Sequence, residues 1–231
     1  MARAAAKQTR ARSAEDKEAR AGTILDAGLE VFRDTGFAGL TMAEVAKRAG
    51  LAKGTVFLYF ATKEALGLAL TERLLSGWFD DVDRRLERNE APCTPEEAAR
   101  LVARSVEGHD ELVALLSILG SILEHNVEAG AAAAFKRTLL ARATATGERI
   151  ERVLPFLQAG DGLRVLLLVN ALVVGLHQMA GHAPVVRRLL ESPEFRVFRV
   201  DFPEALADAL RTHLEGLRLL RGGGRSSSSD E

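Results

Sequence analysis

The sequence predicts an all-α fold, and composition and patterning both point to it. The 231 residues include 6 Pro, one Trp and one Tyr, whereas Ala, Leu and Glu are plentiful, a choice that favours helices over strands. Apolar residues recur at helical spacing in most segments between Glu15 and Leu220. With 47% hydrophobic and 27% charged residues, the chain has the balance of an ordinary globular protein of one or two domains.

The segment 41–64 predicts two short helices joined by a tight turn. Thr41 is suited to N-cap the first helix, with Glu44 three residues on as the partner of a capping box. Gly50 follows, the residue most able to take the left-handed conformation that ends a helix. The second helix is expected to begin near Lys53, with a buried stripe of Val56, Phe57 and Phe60. This is the layout of a helix-turn-helix, which places its second helix in a DNA groove.

The residues from the turn onward read A-G-L-A-K-G-T-V-F-L-Y-F-A-T-K-E-A-L. They resemble the DNA-binding domain of the TetR family of bacterial repressors, in which a glycine turn runs into K-G-T-aromatic-x-Tyr/His-Phe and then x-[ST]-K-E-x-L. The resemblance covers roughly Arg20 to Leu70. The chain departs from the family at two positions. Ala52 stands where a capping residue is frequent, and Phe57 stands where Tyr is frequent, so Phe57 is expected to serve in packing only.

Some side chains of this segment are predicted to touch DNA. Lys53 can donate to guanine or phosphate, and the Thr55 methyl or hydroxyl can meet thymine or phosphate. Gly54 lets the backbone approach, Tyr59 can donate to phosphate, and Lys63 adds a cation at the start of the next helix. The complete candidate set is Thr41, Lys53, Gly54, Thr55, Tyr59 and Lys63.

Charge and composition divide the chain into four predicted parts. Residues 1–60 carry 10 basic and 7 acidic side chains, a net of +3, whereas residues 61–231 carry a net of −4. A basic front end on an acidic body suits a module that meets phosphate at one end. The predicted parts are a basic flexible arm (1–13), a three-helix helix-turn-helix DNA-binding domain (14–62), a larger helical ligand-binding and dimerisation domain (63–221) and a disordered tail (222–231).

Capping signals and apolar periodicity also predict the helices around the motif. The first is expected from Glu15 to Asp34, stopped by Gly36, and Thr62 is expected to cap a helix running to Arg88. Thr94-Pro95-Glu96-Glu97 supplies a cap, a first-turn proline and a capping-box glutamate. The expected helices of the body run from there to Glu107, from Asp110, from Ala131 to Val153, from Asp161 to Ala180, around Val185 to Leu190, and from Pro203 to Leu220.

The two late helices, 161–180 and 203–220, predict a homodimer. The first is apolar on nearly every side, and such a helix is usually buried on both. The second carries Leu206, Leu210, Leu214 and Leu217 beside small residues that allow close approach. Together they can form half of a four-helix bundle across a two-fold axis, as the family resemblance also implies. The alternative is one larger core within a single chain.

The sequence predicts a cytoplasmic protein without a membrane span or a cofactor. The most apolar window, Leu163 to Leu176, is about 14 residues long and interrupted by polar side chains, whereas a span needs about 20. The single cysteine, Cys93, can form neither an intrachain disulfide nor a cysteine metal cluster. The histidines have no metal-ligand spacing, so no metal or cofactor is expected.

The resemblance implies a ligand-responsive repressor that binds a two-fold operator and is released by a small, largely apolar effector. The candidate lining residues of the effector site are Trp78, Leu116, Leu119, Phe135, Asn170 and His177. Asn170 and His177 are seven apart and share one helix face, so they could orient a polar end of the ligand or hydrogen-bond across the dimer.

Two other functions remain open from the sequence. One is a dimeric DNA-binding regulator without a small-molecule ligand. The other is a helical enzyme using Asp80, Asp81 and Asp83, which resemble the D-D-x-x-D magnesium motif. That motif fails here because Arg84 takes its last position. The sequence instead predicts i,i+4 ion pairs, Asp80–Arg84 and Asp81–Arg85, on a solvated face.

Overall fold

The computed structural model describes residues 2–88, 92–123, 125–181 and 184–223, and within these ranges the chain is helical with no strand. The all-α prediction is confirmed. The helices are α1 (Ala2–Gly39), α2 (Met42–Arg48), α3 (Lys53–Tyr59), α4 (Lys63–Glu87), α5 (Pro95–Val106), α6 (Asp110–Ile118), α7 (Ala129–Val153), α8 (Asp161–Ala180), α9 (Pro184–Leu189) and α10 (Phe202–Gly223). A π-helical turn, Leu119–Leu123, continues α6, and a 3₁₀ helix, Pro193–Phe198, precedes α10.

The N-terminal end differs from its predicted state, and most of the predicted C-terminal tail lies outside the described residues. α1 begins at Ala2, so the predicted flexible arm is helical in the structure. Ala and Arg are strong helix formers, and neither Gly nor Pro interrupts the chain before Gly22. The regular helix breaks where it was expected to, at Gly36, whose φ of 65° and ψ of −178° are not helical. Of the predicted tail, Gly222 and Gly223 end α10, and residues 224–231 lie outside the described ranges.

Side-chain caps fix two of the predicted helix starts. The Thr62 hydroxyl accepts the Ala65 N–H at 3.0 Å, at the first turn of α4. At α5, Thr94 accepts the Glu97 N–H at 3.2 Å, and the Glu97 carboxylate accepts the Thr94 N–H at 2.8 Å. The Thr94 N–H and hydroxyl both stabilise the ionised carboxylate and hold the pKa of Glu97 below its ordinary value. The predicted capping box is therefore present.

The chain forms two compact units whose boundary differs from the predicted 62/63 division. The first unit contains the chain up to Arg73 together with Leu119–Ala132. The second contains Leu74–Ile118 and the chain from Ala133 onward. A segment from the middle of the chain therefore belongs with the N-terminal helices.

The start of α4 belongs to the first unit because it packs and pairs with α1. Leu66 and Leu70 are fully buried, and a Cβ on Gly28 of α1 would lie only 3.4 Å from the Leu66 side chain. Arg73 Nη1 reaches the Asp26 carboxylate at 2.7 Å. Glycine at position 28 thus lets α4 approach α1 closely.

In the second unit, α10 packs mainly on α5 and also contacts α8. Leu206, Leu210 and Leu214 are only 0%, 1% and 2% exposed in the single chain. These leucines were predicted to face a second copy, and that assignment is wrong. α5, on which α10 mainly packs, presents a buried face of small and β-branched residues that admits a close approach, among them Ala98, Ala99, Val102, Ala103 and Val106.

The backbones of α7 and α8 touch where they cross. A Cβ on Gly147 would lie 2.7 Å from the Leu163 amide nitrogen, and a Cβ on Gly162 would collide with the Gly147 carbonyl. The Glu151 carboxylate accepts the N–H groups of Gly160 and Gly162 at 2.8 and 2.9 Å. It thereby satisfies two amides at the start of α8, where the N-cap residue is a glycine without a side chain.

Asp161, the first residue of α8, is 3% exposed and heavily paired. It accepts the Gln158 N–H at 2.9 Å and forms ion pairs with Arg221 at 3.0 Å and Arg164 at 3.2 Å. The backbone hydrogen bond from Gln158 and the two cations outweigh burial and lower the pKa of Asp161 below its ordinary value. The end of α10 is thus tied to the start of α8 through the Arg221–Asp161 pair.

α8 has one buried and one exposed face within the chain. The buried face holds Gly162, Val165, Leu166, Val169 and Val173. The exposed face also follows helical spacing and holds Leu167, Asn170, Ala171, Gly175, Gln178 and Met179. By length and composition alone α8 would suffice to cross a membrane, with a mean hydropathy of 1.7 and 22% of the window buried. The predicted apolar window of about 14 residues was therefore too short.

Candidate nucleic-acid interface

The turn between α2 and α3 has the hydrogen bonds of a Schellman motif. Gly50 takes a φ of +67°, its N–H donates to the Lys47 carbonyl at 3.2 Å, and the Leu51 N–H donates to the Ala46 carbonyl at 2.9 Å. A side chain at position 50 would be strained by this backbone conformation. The prediction that Gly50 ends α2 is confirmed.

The start of α2 shows half of the predicted capping box. The exposed Thr41 accepts the Glu44 N–H at 3.3 Å. The Glu44 carboxylate lies instead near Lys47, at 3.8 Å from its Nζ. The Thr41 hydroxyl is thus used in capping and remains on the surface, where a phosphate can also reach it.

α3 is a seven-residue helix that buries one side chain completely. Val56 is 0% exposed, whereas Phe57 and Leu58 are 42% and 82% exposed. Ala52 gives no side-chain cap, as expected. Lys53 and Gly54 are exposed and Thr55, Tyr59 and Phe60 are half-buried. One face of α3 is therefore anchored by Val56, and the other is open.

The predicted packing role of Phe57 is wrong. Its ring is 42% exposed and lies beneath the Lys53 ammonium, 5.7 Å from Nζ to the ring centroid. Because Val56 points into the unit, the adjacent residue is turned outward by the helical rotation. Phe57 and Leu58 present apolar surface on the open side of α3, and of the two only the exposure of Phe57 departs from the predicted buried stripe. The one-residue offset of Phe57 from Val56 was the available signal.

Lys63 and Arg48 lie on either side of this motif with different partners. The Lys63 ammonium sits 4.8 Å from the Phe37 ring centroid and forms no ion pair with a described carboxylate. Arg48 instead ties α2 to α1, with Nη2 at 2.9 Å from Asp34 and Nη1 at 3.5 Å from Glu30. The hydrogen bond to Asp34 contributes most to raising the pKa of Arg48. Arg48 therefore stabilises the packing of α2 on α1. The Lys63 ammonium is not neutralised by a described carboxylate and can bind an anionic ligand.

The six candidate effector residues differ in burial and in their neighbours. Leu119 is half-buried in the π-helical turn that continues α6. Asn170 is exposed on the outer face of α8 and does not line an interior cavity of this chain. His177 is half-buried and meets the Phe202 ring edge-on, with centroids 6.4 Å apart. The exposure of Asn170 agrees with the alternative of a hydrogen bond across the dimer, and a shared role of Asn170 and His177 stays a prediction.

The remaining candidates are core residues or partly buried. Trp78 and Phe135 are 7% and 2% exposed, and Leu116 is half-buried. The Trp78 indole N–H donates to the Ser105 hydroxyl at 3.0 Å, which joins α4 to α5. Clefts described in the second unit lie beside α5 instead. One of about 320 Å³ between α5 and α10 is lined by Glu96, Ala99, Arg100, Ala103, Arg104, Glu107, Pro203, Glu204, Ala207 and Asp208.

The aspartates of α4 are paired with arginines rather than poised for metal. Asp81 contacts Arg85 at 2.6 Å, as predicted, and also Arg84 at 2.9 Å. These arginine hydrogen bonds lower the pKa of Asp81 although burial alone would raise it. The predicted Asp80–Arg84 pair is wrong, because Asp80 pairs with Arg142 of α7.

Asp83 is buried rather than solvated. It accepts a hydrogen bond from Thr146 at 2.8 Å and lies 3.6 Å from Arg149. Within the described ranges no group of three or more His, Cys, Asp or Glu residues could hold a metal ion.

The fold and this site define a helix-turn-helix DNA-binding protein. Residues 24–70 match the family model for bacterial regulatory proteins of the tetR family, and residues 72–220 match that of the tetracyclin repressor-like C-terminal domain. The chain therefore belongs to the TetR family of transcriptional regulators.

Among curated relatives, the chain is 39% identical over 67 residues to the uncharacterized HTH-type transcriptional regulator YvdT of Bacillus subtilis, 29% of this chain and 34% of the relative. It is 38% identical over 72 residues to the HTH-type transcriptional regulator RutR of Escherichia coli, 31% of this chain and 32% of that one. The chain thus spans about a third of the length of these relatives.

Solved structures share the fold over most of the chain. The multidrug binding protein EbrR, complexed with imidazole, aligns with a TM-score of 0.55 and 18% identity over 86% of this chain and 94% of that one. A transcriptional regulator from Rhodococcus sp. Rha1 aligns with a TM-score of 0.52 and 22% identity over 85% and 96% of the two chains. At these identities the likeness establishes the fold and leaves the ligand undetermined.

Proposed function

We propose that this chain is a cytoplasmic, homodimeric transcriptional repressor that binds a two-fold DNA operator through α3 and releases it on binding a small, largely apolar effector. The observation that carries the DNA-binding part is the open face of α3, held by Val56 on one side and exposing Lys53, Gly54, Phe57 and Leu58 on the other. The repressor function and the effector rest on membership of the family.

The contacts at the operator follow from chemistry at the interface. Lys53 and Lys63 supply phosphate contacts without a carboxylate partner in the described part of the chain. Phe57 and Leu58 offer apolar surface for thymine methyl groups in the major groove. Thr41, Thr55 and Tyr59 supply hydroxyls for phosphate, and Gly54 lets the backbone come close.

The outer face of α8 supports the proposed dimer. A stripe of Leu167, Ala171, Gly175 and Met179 is exposed in the single chain, and a Cβ on Gly175 would meet nothing within 4 Å. Gly216 of α10 is equally open, so a second copy can approach both helices closely. This assigns the interface to the exposed faces of these helices rather than to the leucine stripe of α10.

The dimer is tested by Leu167→Glu, which puts a charge on the 62% exposed residue of that stripe. Sedimentation should show a dimer for the unmodified chain and a monomer for the variant, because a desolvated unpaired charge is costly. Leu140→Glu on α7 is the matched control, since Leu140 is 57% exposed and lies off α8. A monomeric unmodified chain at micromolar concentration would contradict the proposal.

The DNA interface is tested on an operator selected from random duplexes, by fluorescence anisotropy at several salt concentrations. Lys53→Ala and Lys63→Ala should each weaken binding and reduce the log–log salt slope by about 2 per dimer, since each copy loses one phosphate contact worth about 0.9. Tyr59→Phe should weaken binding without changing the preferred sequence. Arg152→Ala removes a charge from exposed α7 surface and should leave the slope unchanged.

The effector part is tested by thermal shift with apolar compounds, followed by operator release. Of the predicted lining residues, Trp78, Leu116, Leu119, Phe135 and His177 are buried or half-buried, and they are the proposed lining residues. His177→Ala should reduce the shift more than Gln178→Ala, because His177 is half-buried and Gln178 is exposed. If no compound that binds also changes operator affinity, the chain is a regulator without a small-molecule effector.

A further inference from the structure

A second cleft in the second unit is lined mainly by arginine. It measures about 440 Å³ and lies between the end of α4 and one face of α5. Its lining residues, here called the arginine cleft, are Arg85, Arg88, Glu97, Arg100, Leu101 and Arg104. The volume lies within the range of small-molecule sites.

Helical spacing brings these side chains together. Arg88 directly follows α4, and its N–H still donates to the Arg84 carbonyl at 3.3 Å, so it lies on the same side as Arg85 three residues earlier. On α5, Arg100 and Arg104 are four apart, and Leu101, three residues before Arg104, lines the cleft beside them. The two arginine pairs line the same cleft from two different helices.

The positive charge of the cleft is only partly compensated. Arg85 pairs with Asp81 at 2.6 Å and Arg100 pairs with Glu96 at 2.7 Å, each through its Nε. Both guanidinium groups therefore keep their Nη donors beyond these bonds.

Arg88 and Arg104, the other two arginines, have no carboxylate within 4 Å among the described residues. The one lining carboxylate, Glu97, already accepts two hydrogen bonds from Thr94. Among the described residues, two guanidinium groups at the cleft thus remain without a carboxylate partner.

We propose that the arginine cleft binds a small organic anion, in which a phosphate or carboxylate group is held by Arg88 and Arg104 and an apolar part lies on Leu101. Guanidinium groups match both oxyanions with parallel hydrogen bonds. Leu101 is half-buried and supplies apolar surface between the charged groups. The site is separate from α3 and does not rest on the proposed repressor function.

The single tryptophan of the chain reports on this cleft. Trp78 lies seven residues before Arg85 on α4, and its indole N–H donates to Ser105, the neighbour of Arg104 on α5. An anion that draws α4 and α5 together changes the surroundings of that hydrogen bond. Trp78 emission is therefore expected to change on occupancy, and the arginine variants distinguish this cleft from the proposed effector site, which Trp78 also lines.

The test titrates the full chain at low salt with octyl phosphate, octanoate, octanol and inorganic phosphate, by calorimetry and Trp78 emission. The two octyl anions should bind once per chain, and octanol should bind at least tenfold more weakly. Tighter binding of octyl phosphate than of octanoate identifies a phosphate site, and the reverse identifies a carboxylate site. Inorganic phosphate should bind more weakly than octyl phosphate because it makes no contact with Leu101.

Variants locate the binding. Arg88→Gln and Arg104→Gln should each weaken octyl anion binding at least tenfold, whereas Arg137→Gln removes an exposed charge that lines neither described cleft and should have no effect. Leu101→Ala should weaken the octyl anions and leave inorganic phosphate unchanged. Circular dichroism melts check that each variant is folded.

Three results would overturn the proposal. They are the absence of saturable binding by either octyl anion, equal affinity for octanol, and unchanged anion affinity in a folded Arg88→Gln, Arg104→Gln double variant. If that double variant keeps its anion affinity and loses operator affinity, the arginines serve DNA instead.

Discussion

Helix α3 and the crossing of α7 and α8 differ in how tightly they pack on the rest of their units. α3 buries one side chain fully, Val56, and its approach is set by the Schellman turn at Gly50. At the α7–α8 crossing, the backbones at Gly147 and Gly162 touch without intervening side chains. Most positions of α3 can therefore change without loss of stability, whereas the crossing accepts no added atom. The open face of α3 thus tolerates changes of side chain that the α7–α8 crossing does not.

The largest expected effect comes from Gly162→Ala. The added methyl group would collide with the Gly147 carbonyl, so the helices must separate, and overpacking of this kind costs about 3 kcal/mol or more. Chemical denaturation measures the change. Gly77→Ala is the matched control, because a Cβ there meets nothing within 4 Å and the substitution should stabilise by about 0.5–1 kcal/mol. Equal behaviour of the two variants would disprove the tight crossing.

The next largest effect on stability is expected on α3, where Val56 and Phe57 are adjacent but differ in burial. Val56→Ala should destabilise the protein by about 2 kcal/mol, because Val56 is 0% exposed. Phe57→Ala should cost less than 1 kcal/mol despite removing a larger side chain, because the ring is 42% exposed. For operator affinity the order should be reversed. Phe57→Ala should reduce affinity more than Val56→Ala does when both proteins are folded. A larger stability loss for Phe57→Ala would return Phe57 to the core.

Acid stability should depend on Asp161 in the second unit. Its pKa is lowered in the folded state from an ordinary value near 3.8, so the unfolded chain takes up the proton first as the pH falls. The contribution is complete above about pH 5 and is lost as the pH falls through the folded pKa. Asp161→Asn should destabilise the folded protein by about 1–2 kcal/mol at neutral pH. It should also reduce the loss of stability below about pH 5, here called the acid limb of the stability curve.

Asp208→Asn is the control for this measurement, because Asp208 is exposed and, among the described residues, its ion pair is with Arg211 at the surface. It should leave both the neutral stability and the acid limb nearly unchanged. An acid limb unaltered by Asp161→Asn would show that the Asp161 network does not contribute to it.

Helix boundaries could be predicted from the sequence because local groups set them. Thr62, Thr94 and Gly50 satisfy backbone groups within a few residues of themselves, and those contacts are visible in sequence spacing. The N-terminal residues contain no such signal. They are rich in Ala and Arg, which favour a helix, and α1 begins at Ala2.

The direction in which a side chain faces could not be predicted as well. Leu206 and its neighbours pack on α5 of their own chain, and Asn170 faces outward, because tertiary partners decide which side of a helix is covered. Of the DNA candidates, the structure places Lys53 and Gly54 on the open face. Phe57 was misassigned because adjacent residues on a short helix differ by about 100° in direction.

Thr62 also has a consequence for how the chain is made. Its hydroxyl accepts from Ala65 and donates to the Asn126 carbonyl at 3.2 Å, within the first unit. A nascent chain must therefore have emerged well past residue 126 before this unit is complete, although its other helices are all synthesised by residue 73. A fragment that stops at Arg73 lacks that closing bond. On the ribosome, this bond between Thr62 and Asn126 can form only after α4, α5 and α6 have been synthesised.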